Sequence, residues 1–204
     1  MDITDIILEQ HAQQRAAFAQ LEEWPKQDVE GLTALWQRLQ IFLETHAEAE
    51  ERFFYPHLLD EGTGAADADD GTVEGEVEDA IKDHNKLRDA IRRAGEVEVG
   101  SDAWWEAVTD ADVVNSEHMG EEERQDLRDF RDHASLQQRH DIAVDFLRWQ
   151  AQKAADGITP VDKDAEAYVE DPEAELAQAE DSAQAASGTA TKAAKKASAK
   201  KAAK

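Results

Sequence analysis

In two stretches of the chain, a histidine on an apolar helical face lies four residues before a glutamate. His46 precedes Glu50 in the first stretch, and His118 precedes Glu122 in the second. In an α-helix, residues four apart lie on the same face one turn apart, so each pair can offer an imidazole and a carboxylate to one metal ion. Apolar residues recur along the same predicted faces, so both carboxylates are expected to be buried. A buried carboxylate without a partner is costly, and a bound cation removes that cost.

Two further histidines lie on the apolar faces of other predicted helices. His11 shares a face with Ile7, and His84 shares a face with Ile81. A single histidine on an apolar face is more often a core residue than a ligand. Four such histidines on four helices, two of them paired with a glutamate, indicate a metal site whose candidate ligands are His11, His46, Glu50, His84, His118 and Glu122. The remaining histidines lie outside this pattern and are assigned structural or solvent-exposed roles: His57, His133 and His140.

Composition limits the chemistry that the chain can perform. None of the 204 residues is cysteine, which excludes disulfides, thiolate catalysis, zinc fingers and iron–sulfur clusters. A transition metal must then be held by histidine and carboxylate, a donor set that favours iron, manganese or zinc. The net charge is −25, and six lysines follow Gly188 where no acidic residue remains, so the rest of the chain carries about −31. Such a surface repels phosphate backbones, and the folded part is not expected to bind nucleic acid.

The beginning of the chain carries no targeting pattern. Met1-Asp2-Ile3-Thr4-Asp5 lacks the basic and apolar regions of a secretion signal. No apolar run reaches the ~18 residues of a membrane span. We therefore expect a cytoplasmic protein without a membrane partner.

Hydrophobic periodicity predicts an all-α protein with five helices. Asp28 and Ser101 are candidate N-caps of the second and fourth helices, and Ser135-Leu136-Gln137-Gln138 has the form of a capping box at the start of the fifth. Pro56 is expected to end or kink the second helix. Short connections favour an up-down-up-down four-helix bundle, followed by the fifth helix, in which inward side chains from four helices meet at one level. The predicted ranges are about Thr4 to Glu23, Asp28 to Tyr55, Val73 to Ala94, Ser101 through Leu127 and Phe130, and Ser135 to just before Gly157.

The chain is expected to consist of one folded domain and a tail. The helical patterns cover residues 1–155. Past Pro160 the composition becomes acidic and alanine-rich and then rich in lysine, which predicts a disordered tail over residues 156–204. One hypothesis is that the lysine-rich end contacts DNA. The alternatives are that it contacts the acidic body of the same protein or is simply flexible. Residues 60–71 are predicted to form a flexible acidic loop, because their glycine spacing does not fit a calcium-binding loop.

The order of the candidate ligands resembles that of a known family. His, His-x-x-x-Glu, His, His-x-x-x-Glu is similar to the hemerythrin-like proteins, the HHE cation-binding domains, over about residues 1 to 155, and Tyr55-Pro56 after the first pair is similar to that family as well. The resemblance implies a cofactor of two iron ions in a non-haem di-iron centre that leaves positions open for oxygen, peroxide or nitric oxide. It implies nitrogen ligands at His11, His46, His84 and His118, and bridging carboxylates at Glu50 and Glu122.

The sequence departs from the oxygen-carrying members of that family at two places. Carriers similar to this protein place another histidine one turn after His84, where this chain has Arg88. Coordination number and the protection of bound oxygen both depend on that ligand, so reversible oxygen carriage is not predicted. The stretch Arg124-Gln125-Asp126-Leu127 also lacks the Phe-Pro usual in the family, which leaves the ligand set unchanged.

Other metal frameworks do not fit the spacing. Ferritin-like sites place a glutamate three residues before histidine, but these positions hold Leu43, Ile81 and Asn115. The sequence contains no His-Glu-x-x-His, which excludes the common zinc-protease helix. Nucleophile elbows, phosphate-binding glycine loops and dinucleotide fingerprints are also absent from it.

Three functions remain open at the level of sequence. The first is a di-iron protein that binds or responds to oxygen, peroxide or nitric oxide; catalase-like peroxide decomposition belongs to this hypothesis, although no dedicated acid or base is visible and an enzyme is not predicted. The second is an iron-buffering or regulatory protein whose metal stabilises the bundle. The third is a metal-free helical interaction bundle, in which Glu50 and Glu122 would be buried carboxylates without evident partners. The sequence does not identify a protein partner.

Overall fold

The computed structural model describes residues 1–64 and 71–184. These residues form helices and connecting segments without any strand, which confirms the prediction of an all-α protein. A further helical segment spans residues 172–184. In this part of the chain no helix is both long enough and apolar enough to cross a membrane. The helices are α1 (Ile3–Glu23), α2 (Val29–Phe53), α3 (Tyr55–Glu61), α4 (Val73–Gly95), α5 (Asp102–Arg124), α6 (Asp126–His133), α7 (Leu136–Asp156) and α8 (Ala165–Glu170).

Three of the predicted helices begin at side chains that cap their first turn. Asp28 accepts a hydrogen bond from the Gly31 N–H at the start of α2, and Ser101 accepts one from the Trp104 N–H at the start of α5. The capping box at Ser135 is present at the start of α7. A side-chain oxygen at these positions satisfies a backbone N–H that has no partner within the helix. The predicted starts of these three helices are therefore confirmed.

The second and fourth predicted helices end earlier than the sequence predicts. The second helix ends at Phe53, and α3 begins at Tyr55 after a break at Phe54. Pro56 lies at the start of α3, where a backbone N–H would have no partner within the helix, so its missing N–H breaks no hydrogen bond. The chain direction changes just before Pro56, as expected. The fourth predicted helix is also divided, at Gln125 between α5 and α6, without a proline. Extending it as one helix through Leu127 and Phe130 was wrong.

Two apolar clusters lie on either side of the level at which the four histidines occur. On α1, Ile7 belongs to the first cluster and Phe18 to the second, and His11 lies between them in sequence. Helices α2 and α4 also carry residues of both clusters on opposite sides of their histidines, and on α5 the second cluster precedes His118. The first cluster includes Phe54, Tyr55, Val77, Ile81, Leu127, Phe130 and Phe146, and the second includes Leu32, Trp36, Leu39, Leu87, Ile91, Trp104 and Val108. Burial of these side chains fixes the helices that carry the histidines.

The region after α7 differs from the expected disordered tail. Within residues 156–184, α8 packs against α4, and both Lys163 and Tyr168 are buried. Composition alone predicted disorder because the stretch is acidic and alanine-rich, but Tyr168 joins the first apolar cluster and Val169 and Leu176 pack against it. Residues 185–204, including the lysine-rich end, and residues 65–70 of the acidic loop lie outside the described residues.

Candidate metal centre

Six predicted ligands come together between the two apolar clusters. They arrive from four helices, and none has a side chain that is more than 4% exposed. Helix α1 supplies one, α4 supplies one, and α2 and α5 each supply a histidine and glutamate one turn apart. The set is His11, His46, Glu50, His84, His118 and Glu122.

Glu50 lies at the middle of the site. Its Oε1 is 2.8 Å from His46 Nε2 and 3.9 Å from His11 Nε2, and its Oε2 is 3.4 Å from His84 Nε2. Two groups of three side chains could each hold a metal ion, and each has its ligand atoms within 4.8 Å of one another. We call the group of His11, His46 and Glu50 the first triad, and the group of Glu50, His84 and His118 the second triad. Glu50 is common to both.

The second predicted carboxylate lies beside the first triad. Glu122 Oε2 is 3.1 Å from His11 Nε2. Its other oxygen, Oε1, accepts a hydrogen bond of 3.3 Å from the Tyr55 hydroxyl. Tyr55 is fully buried and its ring is tilted against that of His84, with 5.8 Å between the ring centroids. The Tyr55-Pro56 turn after α2 thus brings a hydroxyl group to the edge of the site.

Three of the histidines are oriented through their Nδ1 atoms. The distances from Nδ1 to the partner oxygen are 3.0, 2.8 and 2.9 Å for the pairs His11–Glu123, His46–Gln10 and His84–Glu51, respectively. An oxygen acceptor at Nδ1 favours the tautomer in which Nδ1 carries the proton and Nε2 keeps its lone pair. In all three cases Nε2 is the atom that faces Glu50 or Glu122.

Several atoms at the centre of the site have no hydrogen-bond partner among the described residues. They are the Nε2 atoms of His11 and His46, both carboxylate oxygens of Glu50, and Oε2 of Glu122. Buried polar atoms are nearly always hydrogen-bonded, because leaving one without a partner costs free energy. Imidazole nitrogens and carboxylate oxygens directed at one space are ligands that iron accepts. The residues present therefore fit a metal ion.

Protons on the histidines balance the buried carboxylates when no metal does. Burial opposes a charge on His11, but Glu122 and Glu123 outweigh it and raise the pKa of His11 to about 9. Burial likewise opposes a charge on His84, and Glu50 and Glu51 raise its pKa to about 9. Burial, reinforced by His84, lowers the pKa of His118 well below its ordinary value. This difference matches the 3.1 Å hydrogen bond between Nε2 of His84 and Nε2 of His118, in which the charged ring donates to the neutral one.

The two carboxylates titrate in opposite directions. Burial favours the neutral form of Glu50, but His46 and His84 outweigh it and lower its pKa. Burial, together with the nearby Glu50 charge, raises the pKa of Glu122. Two negative charges close together in a buried site repel each other when nearby cations neutralise them only in part. Glu50 therefore stays ionised, while Glu122 is more easily protonated.

Sequence reasoning missed the glutamates that orient two of the histidines. Glu51 and Glu123 directly follow Glu50 and Glu122, so both stretches have the form His-x-x-x-Glu-Glu. Each second glutamate binds the histidine of a helix that has no pair of its own, His84 on α4 in one case and His11 on α1 in the other. The repeated Glu-Glu was the available signal.

Arg88 occupies the position of the missing carrier histidine and has a different role here. Its side chain is 1% exposed, and one guanidinium nitrogen donates to both carboxylate oxygens of Glu51 at 2.9 and 3.0 Å. Arg88 thus neutralises the carboxylate that orients His84. The three remaining histidines lie outside the site, as expected: His57 is exposed, His133 contacts Asp129, and His140 contacts the amino terminus.

Comparison with known proteins identifies the matching family. The family profile described as Hemerythrin HHE cation binding domain matches residues 2–130. This range is more than half of the chain and contains all six candidate ligands. No curated protein and no solved structure matches the chain.

Proposed function

Because the chain belongs to the hemerythrin HHE cation-binding domain family, we propose that its buried histidines and glutamates bind two iron ions in a non-haem di-iron centre. The observation that carries the proposal is Glu50, a fully buried carboxylate that two triads share and whose two oxygens face histidine Nε2 atoms of both. A carboxylate in that situation is stabilised by a cation near each oxygen. His11 and His46 would serve one iron, His84 and His118 the other, and Glu122 would add a second carboxylate beside His11.

We propose further that α1, α2, α4 and α5 form an up-down-up-down bundle. Along α1 and α4 the first apolar cluster precedes the histidine and the second follows it. Along α2 the order is reversed, and α5 passes from the second cluster to its histidine before α6 returns to the first. This alternation supports helices that run in alternating directions past one layer of ligands.

The proposed centre would bind or respond to oxygen, peroxide or nitric oxide. Two iron ions supply redox chemistry and open coordination positions for such molecules. The chain's own residues exclude bulk water through the two apolar clusters. They also place the Tyr55 hydroxyl, a proton donor, at Glu122 Oε1.

The test is anaerobic loading with ferrous iron, removal of the excess, and measurement of iron per chain. Wild type is expected to retain two irons. Glu50→Gln is expected to retain one or none, because the shared anion is lost. Glu117→Gln is the matched control, since Glu117 is exposed and lies beside His118 in sequence, and it is expected to retain two. Equal iron content in wild type and Glu50→Gln would contradict the proposal.

The loaded protein then separates the hypotheses that the sequence left open. A change in its visible spectrum on adding oxygen, peroxide or nitric oxide supports the ligand-binding function, and release of oxygen from peroxide would identify a catalase-like activity. Two bound irons with no response to any of the three would favour iron buffering or regulation. Near-zero iron in wild type would favour the metal-free interaction bundle.

A further inference from the structure

The chain after α7 turns back across the helices that carry the metal site. We call residues 157–184 the strap. It begins at Gly157, whose φ of 89° lies in the region that favours glycine, and its helix α8 packs against α4. The strap also reaches α2, where Glu180 accepts a hydrogen bond of 2.7 Å from Arg52. It therefore contacts the helices of Glu50 and His84 without supplying a candidate ligand.

One asparagine fixes the backbone of the strap against α4. The Asn85 side-chain amide donates to the Lys163 carbonyl at 2.6 Å, and the Lys163 N–H donates to Asn85 Oδ1 at 3.1 Å. Asn85 directly follows His84 in α4. A pair of hydrogen bonds between one side-chain amide and one residue sets both position and orientation. Lys163 is thus held in register with the histidine of the second triad.

The strap then contacts Glu51 in two independent ways. The Lys163 ammonium group is 2.6 Å from Glu51 Oε2 and also binds Glu48. The Tyr168 hydroxyl donates to the backbone carbonyl of Glu51. Lys163 is 3% exposed and Tyr168 fully buried, so water does not screen these contacts.

Glu51 transmits these contacts to the metal site. Its Oε1 is 2.9 Å from His84 Nδ1, while Oε2 is the atom bound by Lys163. A carboxylate held on one side by a cation keeps a fixed position for the imidazole on the other side. Partners of this kind orient metal-binding histidines and strengthen the bound metal.

We infer that Lys163 is a positioning residue of the second triad, and that the strap retains the metal held by His84 by fixing Glu51 against its Nδ1. The inference rests on the proposed function where metal is concerned. It assigns the strap to one side of the site only, because within the described part of the chain its hydrogen bonds and ion pairs reach Glu51 but not His11, His46 or the residues at their Nδ1 atoms. Loss of Lys163 should loosen one of two metals and leave the other unchanged.

The first experiment uses the metal-free full-length protein. The Nδ1–H resonance of His84, assigned by its absence in His84→Gln, is followed by NMR together with its exchange with water. Lys163→Met is expected to make this exchange faster, and Lys163→Arg to keep it slow. Asp162→Asn is the matched control: Asp162 joins the strap to Arg92 on α4 at 2.9 Å but lies at the surface, away from Glu51. It is expected to behave as wild type.

The second experiment measures the loss of ferrous iron to a chelator from the loaded protein. Lys163→Met is expected to release one of its two irons about 10–100-fold faster than wild type. Asp162→Asn should release both at the wild-type rate. Tyr168→Phe, which removes only the hydrogen bond to the Glu51 carbonyl, serves if Lys163→Met does not fold, and it is expected to accelerate the same single iron.

The outcomes distinguish this inference from the proposed function. If wild type retains no iron, the proposed function fails, and the exchange of the His84 proton still tests Lys163. Unchanged exchange in both Lys163→Met and Tyr168→Phe would overturn the inference. It would also be overturned by equal acceleration of both irons, or by the same effect in Asp162→Asn, because the strap would then act through general stability.

Discussion

The two triads share Glu50 but are supported by different surroundings. At the first, His11 is oriented by Glu123, whose side chain is 26% exposed and pairs with Arg15, 43% exposed. At the second, His84 is oriented by Glu51, which is fully buried and pairs with the buried cations Arg88 and Lys163. The same local sequence, His-x-x-x-Glu-Glu, therefore produces one solvent-screened support and one that depends on buried charges. Burial of Glu51 requires cations from α4 and from the strap, whereas water partly solvates the charge of Glu123.

The largest expected difference between the two supports is in stability. Glu51→Gln in the metal-free protein should lower the free energy of unfolding by about 3–5 kcal/mol, because it leaves Arg88 and Lys163 buried without their main partner. The matched change Glu123→Gln should cost no more than about 1 kcal/mol, because Glu123 and its cation Arg15 are both partly exposed. Urea unfolding of both variants measures the two effects. Equal losses would show that the supports do not differ as described.

The two histidines should respond to pH in the same direction despite their different supports. The pKa values of His11 and His84 are raised from 6.5 to about 9 in the folded protein. A raised pKa stabilises the folded state at pH values below 6.5, and this contribution is lost as pH rises through about 9. Metal-free protein should therefore become less stable between these two pH values, as measured by urea unfolding at each.

A variant sharpens this comparison. Glu123→Gln should reduce the pH dependence, since it removes one of the three carboxylates that raise the pKa of His11. The contribution of His84 should remain, since Glu51 is intact. Stability that does not change over this pH range in wild type would contradict the assignment of protonated histidines to the metal-free site.

The smallest expected effect is at the surface of the first support. Arg15→Met removes the exposed cation that lies 2.8 Å from Glu123 and should change the free energy of unfolding by less than about 1 kcal/mol. Arg88→Met, the corresponding change at the second support, should be more costly because its partner Glu51 is fully buried. The two variants should also differ in their dependence on salt. Added salt should diminish the small effect of Arg15→Met on the free energy of unfolding and leave the effect of Arg88→Met nearly unchanged.

The candidate ligands could be predicted because their positions follow from local periodicity. A histidine and a glutamate four residues apart on an apolar stripe must face the interior of the same helix, whatever the partner helices are. The capped helix starts at Asp28, Ser101 and Ser135 were predictable for the same local reason. The binding of iron at these residues was suggested only by a family resemblance. It stays a proposal.

The strap could not be predicted because it depends on contacts between distant residues. Its composition is that of a disordered segment, yet Lys163 and Tyr168 are buried and Val169 and Leu176 pack against the first apolar cluster. Lys163 contacts Glu48 and Glu51, which lie more than a hundred residues earlier in the chain. The same reason applies to Glu51 and Glu123, whose roles appear only when α4 and α1 bring His84 and His11 beside them. Local patterns cannot report such pairings.

The most direct test of the central claim, that Glu50 lies between two irons, is a crystal structure of the iron-loaded protein with an anomalous difference map at the iron absorption edge. Two iron peaks are expected, one contacted by His11 and His46 and one by His84 and His118, with Glu50 touching both. A single peak at either triad, or no peak at Glu50, would contradict it.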